Sequence, residues 1–159
     1  MLENYENIII YGLGQSGISS YEKLKSKKNI FIWDDCEKKR KELEKKGYEF
    51  NEPRKWPWEK IDLLISSPGI ALNFGAESFI IKESKKNKIK VVGDLEVFYQ
   101  ELKSLGIRKK IIAVTGTNGK STFVSVLNEI LQKSGLKSSV AGNIGIPVLS
   151  INADEFDII

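Results

Sequence analysis

Short apolar runs alternate with longer segments of helical pattern along the chain. Runs rich in branched and aromatic residues predict strands at residues 7–11, 29–33, 61–65, 89–92, 110–114, 137–141 and 156–159. Apolar residues at helical spacing predict helices at 17–27, 37–46, 76–87, 94–104 and 120–134. Strands that alternate with helices are typical of parallel sheets with right-handed crossovers, so the pattern predicts an α/β protein.

The alternation restarts near residues 99–110 (YQELKSLGIRKK), where a predicted helix ends and a fresh strand follows a glycine. We therefore expect one α/β unit over residues 1–95, a linker with a helix end over 96–109, and a second α/β unit over 110–159. The final residues, DEFDII, lie within an apolar strand pattern. This leads us to expect the N-terminal portion of a longer protein.

Composition narrows the possible partners. Among the 159 residues, 41% are hydrophobic and the net charge is +4, but acidic residues interleave with the lysines of segments such as CEKKRKELEKK. This mixture favours solvated helix faces over a nucleic-acid surface. No apolar run approaches the roughly 20 residues of a membrane span. Cys36 is the single cysteine and histidine is absent, which fits a reducing cytoplasm and excludes imidazole chemistry within this chain.

A first glycine-rich turn follows the first predicted strand. Gly12, Gly14 and Gly17 form G-x-G-x-x-G between a strand and a helix, and Asp34 ends the next strand about twenty residues later. Such glycines allow a tight turn, close approach of a phosphate and close packing of helix on strand. Taken alone, the pattern indicates a dinucleotide site, and a purely structural strand-to-helix turn remains the alternative.

A second glycine-rich turn precedes the predicted helix at 120–134. The strict P-loop requires a glycine six positions before the lysine, where this chain has Val114. Its backbone amides can still surround phosphate oxygens, Lys120 can reach the β- and γ-phosphates, and Ser121 or Thr122 can place a hydroxyl on Mg²⁺. The pattern predicts a nucleotide-phosphate site formed by Gly116, Thr117, Asn118, Gly119, Lys120, Ser121 and Thr122. A plain glycine turn with a surface lysine remains the alternative.

Five motifs together resemble the Mur ligases, and among them those that add D-glutamate. They are GLGQSG at 12–17, SSPGIAL at 66–72, VVGDLEVF at 91–98, AVTGTNGKST at 113–122 and AGNIGIP at 141–147. The resemblance implies a Rossmann-like parallel-sheet domain followed by the beginning of a P-loop-type α/β ATPase domain. It also implies a cytoplasmic ATP- and Mg²⁺-dependent ligase of peptidoglycan precursor synthesis. In such a ligase, the second glycine turn would bind ATP and Lys120 would be a catalytic residue. Such an enzyme joins D-glutamate to UDP-N-acetylmuramoyl-L-alanine through an acyl phosphate.

The same resemblance implies that the first glycine turn binds UDP instead of NAD. The residues expected to contact the UDP-linked substrate are Gly14, Gln15, Ser16, Asp34, Asp35, Gly69 and Asn143. Asp34 and Asp35 would contact the uracil, Asn143 would reach the diphosphate, and Ser121 would ligate Mg²⁺. Cys36 stands where a basic residue is common in these enzymes, so a stacking contact with the uracil is not predicted.

Two rival functions follow from the residues alone. One is a nucleotide- or UDP-sugar-binding module without turnover, and the other is an NAD-dependent oxidoreductase, which the second glycine turn disfavours. We expect neither nucleic acid nor membrane as a partner, and a monomeric full-length enzyme. We also expect the 159-residue chain to be inactive alone, because the family's further metal ligands and its C-terminal domain would lie beyond residue 159.

Overall fold

The structure is a computed structural model that describes residues 4–68, 70 and 78–159. In this part of the chain, four strands form one parallel sheet: β1 (Asn7–Tyr11), β2 (Asn29–Trp33), β3 (Leu63–Ser66) and β4 (Lys90–Gly93). The accompanying helices are α1 (Gln15–Leu24), α2 (Glu37–Glu44), α3 (Phe79–Lys86), α4 (Asp94–Ser104) and α5 (Lys120–Lys133). The spatial order β2-β1-β3-β4 and the parallel pairing confirm the predicted α/β, Rossmann-like class.

The sheet is covered on both faces, as its almost uninterrupted apolar strands require. Successive side chains of a strand point to opposite faces. Ile8 and Ile10 of β1 therefore share one core with residues of α1 and α4. Ile9 lies in the second core, beneath α3. The result is a three-layer α/β/α arrangement in which α1, α2 and α4 bury apolar residues on one face of the sheet and α3 buries them on the other.

The segment between α2 and β3 completes the second face. Two short 3-10 turns, Pro53–Lys55 and Trp58–Lys60, place Trp56 and Trp58 in the core beneath α3. The indole N–H of Trp56 donates to the Asn51 carbonyl at 3.0 Å, and that of Trp58 donates to the Pro53 carbonyl at 2.9 Å. Each ring therefore buries its apolar surface without leaving a polar donor unpaired.

A segment near the end of the chain packs onto the first sheet. The 3-10 turn Val148–Ser150 contacts both α1 and α4, and Val148 and Leu149 are buried in the same core as β1. A hydrogen bond of 2.7 Å joins the hydroxyls of Ser19 in α1 and Ser150. This contact fixes the position of the loop that precedes the turn.

The predicted strands at 110–114, 137–141 and 156–159 are wrong as regular strands. Within the described residues, these segments carry only isolated parallel bridges, which are Lys110 to Ile158, Ser138 to Ile158 and Ala141 to Ile146. Regular parallel ladders are normally buried on both faces, whereas Ile111 and Ile112 are 41% and 45% exposed. The P-loop-type fold of this second unit therefore stays a prediction.

None of the described helices combines the length and the apolar character that crossing a bilayer requires.

Candidate functional site

A cleft opens where β1 and β3 end. Their neighbours lie on opposite sides, because the chain crosses from β1 to β2 in one direction and from β3 to β4 in the other. In open parallel sheets, ligands bind at this reversal of strand order, outside the carboxyl ends of the strands. The cleft has a volume of about 350 Å³. Its position alone marks it as the candidate binding site.

The cleft gathers most of the residues that the sequence predicted for a UDP-linked substrate. Gly14, Gln15, Ser16, Asp34 and Asn143 all lie along its wall. The other lining residues are Gly12, Lys39, Ser67, Pro68, Ile70 and Gly142. Residues separated by more than a hundred positions in the sequence thus meet at one surface. The role of each toward a ligand stays a prediction.

The glycines of the first turn serve different purposes. Gly12 has a φ of +86°, and its carbonyl accepts a hydrogen bond of 2.6 Å from the Ser67 hydroxyl, which joins the ends of β1 and β3. A Cβ at Gly17 would stand 2.0 Å from the Gly12 carbonyl oxygen, so α1 can lie this close to β1 only with glycine there. A Cβ at Gly14 would meet nothing within 4 Å, and that open side belongs to the cleft.

The start of α1 presents unpaired amides to the cleft. Among the described residues, no acceptor is found for the backbone N–H groups of Gly14, Gln15 and Ser16. The N-terminus of a helix carries a partial positive charge, and free amides there are a site for phosphate or another anion. These three groups can therefore donate to the oxygens of a diphosphate.

Asp34 is held tightly at the edge of the cleft. One carboxylate oxygen accepts from the Leu13 amide at 2.7 Å and pairs with Lys39 at 3.2 Å, and the other accepts from the Cys36 amide at 3.0 Å. Burial would raise the pKa of Asp34, but these hydrogen bonds and the lysine charge outweigh it, so the net pKa is lowered. The carboxylate is thus ionised and fixes the glycine turn against the end of β2.

Asp35 faces a different pocket from Asp34. It lies with Trp33, Arg54 and Phe79 around a smaller cavity of about 180 Å³. Its carboxylate accepts a hydrogen bond from the Tyr11 hydroxyl. Burial, followed by this hydrogen bond to a carboxylate, raises the pKa of Tyr11 to about 12. The two aspartates predicted to share one role are therefore turned to opposite sides of β2.

Gly69 and Cys36 complete the set of residues predicted near the uracil. Gly69 lies outside the described residues, so its predicted place beside the uracil is not tested. Cys36 is exposed and directly precedes α2. Its backbone amide donates to the Asp34 carboxylate, and its side chain makes no capping hydrogen bond to the helix. The site around α2 therefore depends on the backbone at residue 36.

Asn143 reaches the cleft from a closed loop. The Gly142 amide donates to the Ile146 carbonyl at 2.9 Å, and the Ile146 amide donates to the Val140 carbonyl at 3.2 Å. Gly145 has a φ of +75°, and a Cβ there would stand 2.3 Å from the Val140 oxygen. These contacts give the loop one shape, and the buried turn that follows it holds it beside α1.

The second glycine turn also begins a helix, as predicted. Gly116 and Gly119 have φ values of +145° and +77°, and α5 begins at Lys120. Within the described part of the chain, the amides of residues 117–119 donate to no acceptor. The Lys120 ammonium donates to the carbonyls of Gly116 and, at 3.1 Å, Thr117. It is thus folded over the loop where phosphate oxygens would enter.

The loop fits a nucleotide phosphate better than it fits a metal ion alone. Ser121 and Thr122 are exposed at the start of α5, where a hydroxyl could join a phosphate-bound Mg²⁺. A search of the described residues finds no group of three or more His, Cys, Asp or Glu side chains that could hold a metal. Residues 116–122, all described, do not line the cleft between β1 and β3. The two glycine turns therefore form separate sites.

Lys39 is the charged cleft residue that sequence reasoning missed. It lies in the first turn of α2, five residues after Asp34, within a lysine-rich segment read as a solvated helix face. The helical spacing of that segment could have shown that one of its cations lies on the side of α2 that faces the end of β2. For Ser67, which also lines the cleft, the sequence favoured a turn residue and a ligand equally.

The sheet order, the cleft at the reversal of strand order and the glycine turn define a Rossmann-like α/β protein with a candidate ligand site. The chain is 39% identical to UDP-N-acetylmuramoylalanine–D-glutamate ligase of Rickettsia bellii (strain RML369-C), over 94% of this chain and 32% of that protein. It is 34% identical to the ligase of the same name from Wolbachia sp. subsp. Brugia malayi (strain TRS), over 96% of this chain and 31% of that protein.

A third ligase of this name, from Rickettsia prowazekii (strain Madrid E), is 37% identical over 93% of this chain and 32% of its own length. No family model matches the chain. The predicted resemblance is confirmed: the chain is homologous to the D-glutamate-adding Mur ligases along nearly its whole length. It spans about a third of the length of these relatives.

Proposed function

We propose that this chain forms the UDP-substrate-binding part and the phosphate loop of an ATP-dependent ligase of peptidoglycan precursor synthesis. The reaction joins D-glutamate to UDP-N-acetylmuramoyl-L-alanine through an acyl phosphate, in the cytoplasm, and gives ADP and phosphate. The observation that carries this proposal is the cleft in which Gly14, Gln15, Ser16, Asp34 and Asn143 converge.

The cleft supports a nucleoside diphosphate as the ligand. The free amides at the start of α1 match the oxygens of a diphosphate, and Asn143 lines the same cleft. The neighbouring pocket at Asp35 provides a carboxylate acceptor and the rings of Trp33 and Phe79, which suit a uracil with its N–H donor.

The second glycine turn supports ATP as the co-substrate. The amides of residues 117–119 and the Lys120 ammonium would hold the phosphates, and the Ser121 hydroxyl would help to hold Mg²⁺. Bound there, Mg²⁺ and ATP supply an activated phosphoryl group for a carboxylate. Lys120 contributes positive charge where the transferring phosphoryl group becomes more negative.

Calorimetric titration of the purified 159-residue chain tests the assignment of the cleft. UDP and UDP-N-acetylmuramoyl-L-alanine should bind more tightly than NAD⁺. The Asn143→Ala substitution should weaken the binding of UDP and leave the binding of ATP unchanged, because Asn143 lines the cleft and residues 116–122 do not. Tighter binding of NAD⁺ than of either UDP compound would overturn the proposal.

A further inference from the structure

The first turn of α2 carries a run of cations where a helix disfavours them. Lys38, Lys39 and Arg40 follow Glu37 directly, at the end of the helix whose dipole is positive. Positive side chains at this end cost stability instead of adding to it. A local rule broken in this way is expected where the residues serve a function.

Two of the three cations are explained without a ligand. Arg40 lies over the ring of Trp33 at 4.2 Å and donates to the Asp34 carbonyl at 2.6 Å, so it fastens α2 to the end of β2. Lys38 is exposed and does not line the cleft. Lys39 remains, and it is the cation of this turn that lines the cleft.

The ammonium of Lys39 stands beside the glycine turn. It lies 3.2 Å from Asp34 Oδ2, the oxygen that also accepts from the Leu13 amide at 2.7 Å. Leu13 directly precedes Gly14, whose open side faces the cleft. A positive charge and the free amides of α1 therefore border the same space from two directions.

We propose that Lys39 is a binding residue for the diphosphate of the UDP-linked substrate, acting together with the amides of Gly14, Gln15 and Ser16. This inference rests on the proposed function. It adds the residue whose positive charge would make the cleft prefer a diphosphate. On binding, the Lys39 ammonium turns from Asp34 to a phosphate oxygen. Lysine suits this exchange, because it is a compact charge on a flexible stem.

The exchange is energetically reasonable on both sides. The side chain of Lys39 is 37% exposed, and an ion pair as open as this contributes little to stability. Asp34 keeps its hydrogen bonds from the Leu13 and Cys36 amides when the lysine leaves, so its partly buried carboxylate is not left unpaired. The pair with Asp34 thus holds Lys39 ready beside the cleft in the free protein.

The test compares Lys39→Ala with Lys38→Ala, a matched removal of a neighbouring lysine that does not line the cleft. Affinity for UDP and UMP is measured by calorimetry at low and moderate salt, and the urea midpoint of each variant is recorded. Lys39→Ala should weaken UDP binding about tenfold or more and reduce its dependence on salt. Lys38→Ala should stay within about twofold, and Lys39→Arg should recover most of the affinity, because it restores the charge.

The outcomes separate this inference from the proposed function. If the unsubstituted chain binds no UDP compound, both are overturned. If it binds UDP and Lys39→Ala matches Lys38→Ala, only the role of Lys39 is overturned. A loss of UDP affinity that comes with an equal loss of UMP affinity and a lowered urea midpoint would make Lys39 a structural residue, which also overturns the inference.

Discussion

Replacing Gly17 by alanine should destabilise the whole first sheet. The added Cβ would stand 2.0 Å from the Gly12 carbonyl oxygen, a backbone atom that cannot rotate away, so α1 must move outward. Overpacking of this kind costs about 1–3 kcal/mol, and the severe contact places Gly17→Ala near the upper end. The better helix propensity of alanine returns up to about 1 kcal/mol. We therefore expect a net loss of about 2 kcal/mol, or roughly 4–8 °C in Tm.

Urea unfolding followed by circular dichroism measures this loss. With an m-value of about 2 kcal/mol per molar, the midpoint should fall by about 1 M while m stays the same. Gly93→Ala is the matched control, because Gly93 also precedes a helix after a strand, has a φ of −91° and would meet nothing within 4 Å. Its midpoint should shift by less than about 0.5 M. Equal midpoints for the two variants would show that α1 is not held against Gly12 by this contact.

Three further predictions follow. Lys120→Ala should weaken ATP binding at least tenfold with Tm unchanged, because the hydrogen bonds of its ammonium within the described residues go to the exposed loop carbonyls of Gly116 and Thr117; Lys133→Ala, at the other end of α5, is the control. The free energy of unfolding of the unsubstituted chain, measured by urea unfolding, should fall between pH 10 and 12. The Tyr11→Phe variant should not show this fall. The phenol, with its pKa raised to about 12, stays protonated when folded but ionises near 10 when unfolded. Phe123 and Ile130 are 55% exposed on α5, so replacing both by serine should reduce self-association in light scattering.

Each of these has a contrary result. Retained ATP affinity with a lowered Tm in Lys120→Ala would make the second glycine turn a structural one. An unchanged high-pH loss in Tyr11→Phe would assign that loss to other groups. A chain that stays monomeric at high concentration before any substitution would show that the apolar side of α5 drives no association.

Several elements could be predicted from sequence because their signals are local. β1 and β2 occupy the predicted residues, and α4 begins and ends where the pattern placed it. The glycine turn before α1 was predicted from three glycines at fixed spacing. The predicted strands after residue 109 failed because an apolar run shows that burial is favourable without showing which strands will cover it.

Some features of the candidate site could also be predicted from sequence, and others could not. Sequence alone indicated the residue types of the cleft, because a phosphate needs free amides and positive charge whatever the surrounding fold. It did not separate Asp34 from Asp35, which adjoin in the chain but face different pockets. Nor did it single out Lys39 from the lysines around it.

The sequence by itself determined the class of fold, the two glycine turns and their preference for anions, since each follows from backbone freedom and helix ends within a few residues. The family resemblance assigned Gln15 and Asn143 to one ligand, but only the tertiary structure brings the two residues together at one cleft. That meeting depends on Val148 and Leu149 burying against α1, a contact between segments more than a hundred residues apart. Such contacts arise from how complete apolar surfaces fit together, and no local pattern records that fit.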